Sequence, residues 1–256
     1  MRNVFGFFKK EGMELVRSGK VYITLLVFLL FGVLNPAIAK LTPFLYQSLS
    51  ASFKEQGITV TNISVNAMTS WQQYYKNLPI ELLVFLLLFA GILTNEYQKK
   101  TLILMVTKGL KKSVILGTKI VCLFFYFSVC YWLTYGITFA YNAYFWDNSI
   151  AHHVLLSAVF AYICGLFLIS LLVLFSTIFE NALNVLLATG GVVILCYVIQ
   201  LFPKAGKWSP LVLLSGMDIL NQKITVSGVW NAGFLTIGIS IIFLILSFWC
   251  FQRREL

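Results

Sequence analysis

Long apolar stretches alternate with short polar ones along this chain. The apolar stretches cover residues 21–39, 78–93, 114–145, 152–178, 182–202 and 229–251. Helices of about 17–25 apolar residues cross ~30 Å of hydrocarbon. The stretches are continuous and do not alternate with period two, which excludes a closed barrel. The pattern predicts an all-α polytopic membrane protein with six transmembrane helices in one domain, 1–256. The third stretch is too long to stand upright and is expected to tilt or to continue past the membrane. In the last, Ala232, Thr236 and Ser240 form a small-residue stripe suited to helix packing.

The polar stretches predict further helices. Residues 1–20 read as an amphipathic helix lying in the membrane interface. Val4, Phe5, Phe8, Leu15 and Val16 share one side, opposite Lys10, Glu14 and Arg17, with Phe7 and Met13 off the pattern. Ala37-Ile38-Ala39 resembles a signal-peptidase site, but the preceding apolar core is too long for a signal peptide and reads as an uncleaved anchor. Residues 40–79 form an outer loop. In it Thr42-Pro43 starts a helix carrying Leu45, Leu49 and Phe53 and stopping at Gly57. Residues 58–65 alternate weakly, Asn62-Ile63-Ser64 fits a sequon, and Trp71, Tyr74 and Tyr75 read as an interfacial aromatic belt. Glu81 falls near the outer end of the second span, within reach of water. Trp146-Asp147-Asn148-Ser149 is an outer turn, and Phe179-Glu180-Asn181 is a short inner one. Gly190-Gly191 allows a close approach or a kink in the fifth span. Residues 203–228 are outside again, with Ser209-Pro210 starting an apolar helix that re-enters the membrane between spans five and six.

Charge sets the orientation. Segments 1–20, 94–119 and 252–256 carry five, six and two Lys/Arg, against six on the other side, so both termini are predicted to be cytoplasmic. The net charge of +10 is therefore read as membrane anchoring and topology, without nucleic acid as partner. A composition 59% hydrophobic and 11% charged excludes a water-soluble fold. The five cysteines lie in apolar runs and form no CxxC or Cys/His cluster, so packing is their expected role. His152-His153 lacks further ligands and reads as interfacial. No phosphate loop, GxSxG, HExxH or paired carboxylates occur, so neither a catalytic nor a metal site is expected. No ionisable residue is placed in the middle of a span, which argues against an ion-coupled carrier. Backbone-coordinated sodium stays open.

The cytoplasmic segment 94–113 is the most informative. Thr101 is read as the cap of a short apolar helix over Leu102, Ile103, Met105 and Val106, flanked by Lys99, Lys108, Lys111 and Lys112. Two readings stand: a helix that docks another protein, or a loop lying on lipid headgroups. Tyr126, Tyr131, Thr134 and Tyr135 in the third span are candidates for a substrate path, with ordinary helix contacts as the alternative.

Segment and layout together resemble the short permeases of type-2 ATP-binding-cassette exporters. The local pattern is a span, Glu, Gly-Thr-Leu, an apolar stretch, a basic turn and Lys. Here it reads Glu96, Lys100-Thr101-Leu102, Val106-Thr107-Lys108 and Lys119, with Lys100 in place of Gly. The resemblance implies a dimer of permeases in a bacterial cytoplasmic membrane, each on a separate ATPase subunit that carries ATP and Mg. This chain would hold no cofactor of its own. Glu96, Thr101, Leu102, Ile103, Met105, Val106 and Lys108 would couple the ATPase to the spans, and Gly190 and Gly191 would lie at the dimer interface. The expected substrate is an amphipathic peptide or drug. A stand-alone carrier or channel, a membrane enzyme and a scaffold are the rival readings.

Overall fold

The computed structural model describes residues 2–55, 65–107, 109–224 and 226–254. These residues form eleven α-helices in order: α1 Arg2–Arg17, α2 Lys20–Glu55, α3 Ala67–Phe89, α4 Gly91–Gln98, α5 Thr101–Thr107, α6 Lys112–Phe145, α7 Val154–Ile178, α8 Ala182–Gln200, α9 Pro203–Gly206, α10 Gly216–Leu220 and α11 Val226–Arg253. Short 3-10 turns cover Asn148–Ile150 and Pro210–Leu214. No strand occurs among the described residues. Ala90 keeps helical dihedrals, so α3 and α4 make one span, Ala67–Gln98. Among the described residues, six helices are long and apolar enough to cross a membrane, and the chain is a multi-pass membrane protein.

α7 is the hub and is buried along most of its length. It packs most extensively against α11 and also meets α3, α4, α6, α8 and α10. α2 packs against α3 and α6 as a second group. Hydroxyls inside the spans cost little because they donate to their own helix: Thr118 to Val114 O, Ser128 to Phe124 O, Thr189 to Val185 O, and Thr236 to Ala232 O. The stripe on α11 is packed as expected, with Ala232 and Thr236 fully buried.

α2 and α6 approach closely at Gly32. A Cβ there would lie 3.2 Å from Ile137 Cβ and 3.3 Å from Thr134 Cα. Pro36 lacks the N–H that would bond to the Gly32 carbonyl. Thr138 Oγ1 donates to that carbonyl at 3.2 Å, and Thr134 Oγ1 donates to Phe28 O at 2.8 Å. The helix crosses its proline because the neighbouring helix satisfies the freed acceptor.

Several expectations need correction. Thr42-Pro43 starts no helix: both lie inside α2, where Thr42 Oγ1 donates back to Ile38 O. One proline removes one N–H and does not by itself end a helix already held by its neighbours. The side chains of Leu45, Leu49 and Phe53, together with Gly57, residues 58–64 and the sequon, lie outside the described residues. The second span starts at Ala67, eleven residues before the expected 78, with Asn66 capping Thr69 N. Trp71, Tyr74 and Tyr75 are therefore core, not belt: Trp71 and Tyr74 are fully buried and α10 sits on Tyr75. The 203–228 segment breaks at Ser215 into a 3-10 turn and α10, whose Leu211, Leu213, Ile219 and Leu220 are buried. α1 docks through Phe7, Glu11 and Leu15, leaving Phe8, Met13 and Val16 exposed.

α1 and the end of α11 share one end of the bundle, here the basal end. Lys112 Nζ donates to Arg254 O at 2.6 Å, and Arg254 pairs with Glu180 at 2.6 Å. α1 packs on the start of α6 at the same end.

Candidate functional site

The basal end gathers α1, α4, α5 and the start of α6. α4 ends at Gln98, and the chain turns through Lys100, whose φ is +54°. That left-handed conformation favours glycine, the residue that the resembled pattern has at this point. Gly109, with φ +85°, makes the second turn, leading into α6. Between the turns α5 runs for seven residues. Thr101 does not cap it; its hydroxyl turns toward Glu96 O at 3.5 Å.

α5 is two-faced. Leu102 is 1% exposed and belongs to the main core, with Met105 and Val106 partly buried beside it. Ile103 is 40% and Leu104 60% exposed. The spacing explains this, because positions 102, 105 and 106 share one side of a helix and 103, 104 and 107 the other. Leu102 is therefore no external contact, which corrects the expectation, and Leu104 is the outward residue that sequence reasoning missed. Lys108 lies outside the described residues.

Behind α5 a buried ion triad joins three helices. Lys119 of α6 is 4% exposed. Its Nζ lies 2.8 Å from Glu11 Oε2 of α1 and 2.9 Å from Glu96 Oε1 of α4. Glu11 accepts a well-formed hydrogen bond, whereas Glu96 makes ionic contact without hydrogen-bond direction. Lys10 adds contacts to Glu11 at 3.4 Å and Glu14 at 3.1 Å. Glu11, Glu14 and Glu96 bring carboxylate oxygens within 4.8 Å of one another. Lys119 and Lys10 between them contact all three acids, so the cluster is joined as an ion-pair network. The triad borders a cleft of about 540 Å³ lined by Phe7, Leu15, Phe89, Leu104 and Met105 as well as charged groups. Sequence reasoning counted Lys119 with the basic segment 94–119 and left Glu11 unassigned; the four-residue spacing of Phe7, Glu11 and Leu15 was the available signal.

The other candidates lie elsewhere. Tyr126 donates to Val21 O, Tyr131 donates to Ala158 O at 2.7 Å, and Thr134 bonds Phe28 O. Tyr135 packs on Trp71 with ring centroids 5.6 Å apart. All four make contacts between helices. A Cβ added at Gly190 or Gly191 would meet nothing within 4 Å, and α8 presents Leu183, Leu187, Ile194 and Leu195 outward. Gly190 borders an apolar groove of about 330 Å³ between α3, α7 and α8.

Glu81 overturns two expectations. It does not reach water, because its side chain is fully buried. It also stands well inside the span Ala67–Gln98, so an ionisable group does occupy the interior of a span. The reason is the early start of α3, which moves Glu81 from a helix end to the helix interior. A search against protein-family models finds no match, and a search of curated proteins finds none either.

Proposed function

We propose that this chain is the membrane-spanning subunit of an ATP-driven exporter of the type-2 ATP-binding-cassette class. It moves an amphipathic peptide or drug out of the cytoplasm, and a separate ATPase subunit binds ATP and Mg. Two permease subunits, alike or different, meet through α2 and the outward face of α8 around Gly190 and Gly191. The basal end faces the bacterial cytoplasm, in keeping with its lysines and arginines.

The observation that carries this reading is α5 with the triad behind it. Ile103 and Leu104 offer an apolar face to a partner, while Leu102 anchors the same helix in the core. A force on that face reaches α4, and Lys119 links α4 to α1 and α6. The left-handed Lys100 at the glycine position of the family pattern supports the same reading.

The test uses the chain purified with its ATPase. Ile103→Ser with Leu104→Ser should leave insertion and thermal stability unchanged. Both side chains are already half covered, so the pair should cost about 2 kcal/mol of binding, roughly thirtyfold in Kd. Unchanged affinity and coupled transport would move docking to another surface, first to the exposed Phe8 and Val16 of α1. A second reading, a carrier working alone, is favoured by Glu81. Solute flux through the chain in vesicles without any ATPase would establish it.

A further inference from the structure

Among the described residues, Glu81 is a buried carboxyl without a hydrogen-bond partner. Neither of its oxygens has a hydrogen-bonded neighbour. α3 brings Tyr74 near it, and α6 brings Cys130, Tyr131 and Thr134. The Thr134 proton is already given to the Phe28 carbonyl of α2. α7 and α10 meet α3 through Gly165, Ser157 and Gly216, at Leu82 and Tyr75, and bring no charge to Glu81. No described lysine, arginine or histidine offsets it. Ionisable groups inside spans are rare and usually paired. Glu96, at the end of the same span, has Lys119.

Glu81 is also not alone in lacking a partner. Ser70 Oγ, Trp71 Nε1 and Tyr74 OH on α3, Asn35 Nδ2 on α2, and both amide atoms of Asn142 on α6 are buried and have no hydrogen-bond partner among the described residues. Positions 70, 71, 74 and 81 share one face of α3. Neighbouring helices stand at matching heights. Asn77 Nδ2 bonds Asn35 Oδ1 at 2.8 Å, and Thr138 bonds Gly32 O, one turn below Asn142 and Asn35 respectively. The set thus forms a file running from Glu81 toward the distal end, roughly 16 Å along the helix. Buried polar atoms gathered this way are the ordinary partners of internal water.

We propose that Glu81 is a proton-binding site reached from the distal end through this polar file between α2, α3 and α6. A carboxylate unpaired in an apolar interior is costly, and one proton removes its charge. Hydrated protons from the distal side pass along water held by Asn142, Asn35 and Tyr74. The carboxylate gains the proton and the water is left neutral. A hard metal cation fits less well, because it takes several oxygen ligands and the file offers one carboxylate among amides and aromatic rings. The site gives the chain a proton-responsive element in the span that leads directly to α5. It stands independently of ATPase docking.

Infrared difference spectroscopy between acid and alkaline buffer tests this on the full chain in lipid bilayers. The native protein should show the carbonyl stretch of a protonated carboxylic acid that grows on acidification. Glu81→Gln should lack that band while keeping the native melting temperature. In heavy water, Asn142→Leu should slow deuterium exchange of the band about tenfold, the loss of one hydrogen-bonded relay. Ser70→Ala is the milder variant should Asn142→Leu fail to fold, and should slow exchange in the same direction. A Glu81 band that ignores pH would show a permanently neutral structural carboxyl and overturn the proposal. So would a band abolished by sodium at fixed pH, or exchange equally fast in the folded variants.

Discussion

Glu96 and Glu81 sit on one continuous span, roughly 22 Å apart along the helix. Both are buried, yet their surroundings are opposite. Glu96 shares Lys119 with Glu11, in a triad that ties α4, α1 and α6 together. Glu81 meets tyrosines, a cysteine and a threonine whose proton is committed elsewhere. The difference follows from position. At the basal end, lysines are abundant and the stem of Lys119 lies within packed helix while its ammonium finds two acids. At the level of Glu81, the adjoining helices contribute aromatic rings and backbone already in use. Burial of the same side chain thus serves as a structural joint in one place and leaves an unmet demand in the other.

The largest expected effect breaks the joint. Lys119→Met leaves two buried acids without their cation and should cost about 3–5 kcal/mol of stability, read from chemical unfolding in detergent. Adding Glu11→Gln and Glu96→Gln should recover most of it. An unchanged Lys119→Met protein would mean that the triad holds nothing together. Glu81→Leu should have the opposite sign: removing an unpaired buried polar group should stabilise by about 1–3 kcal/mol. A loss of stability there comparable to that of Lys119→Met would erase the contrast between the two glutamates.

Smaller effects sharpen the picture at the basal end. Lys100 is exposed and left-handed, so Lys100→Gly should gain about 1 kcal/mol in the melting transition. A loss instead would show that the Lys100 side chain is needed for the turn. The smallest effect concerns Glu14. Partial burial works against its charge, but the hydrogen bond and charge of Lys10 prevail and hold its carboxyl below the ordinary 4.5. Its stabilisation is therefore full above the unfolded value and lost as pH falls through the lower folded one. The pair is largely exposed and contributes about 0–1 kcal/mol. Glu14→Gln should flatten the acid limb of the stability curve only slightly; a large change would place Glu14 inside the triad.

Six spans, their order and the lysine-rich basal segment were legible because hydrophobic length and charge placement are properties of the chain itself. So was the short helix over 101–107, and the resemblance marked Glu96 and Lys119 as members of one pattern. The inward turn of Leu102 was not legible: a seven-residue apolar helix has no polar side to mark which face is buried. Glu11 was hidden for a related reason. The hydrophobic face of α1 pointed to Phe8 and Val16, whereas the docked face is chosen by the acid that meets Lys119.

The sequence by itself determined that this is an all-helical, multi-pass membrane protein, because only long apolar helices satisfy both hydrocarbon and backbone. Only the tertiary structure decided which polar residues are paired. Hydrogen bonds and ion pairs between spans depend on the relative height of neighbouring helices, and that height is set by contacts such as Gly32 against Thr134 and Ile137. Lys119 thereby reaches Glu11 and Glu96, while Glu81 is left facing rings and a hydroxyl already engaged.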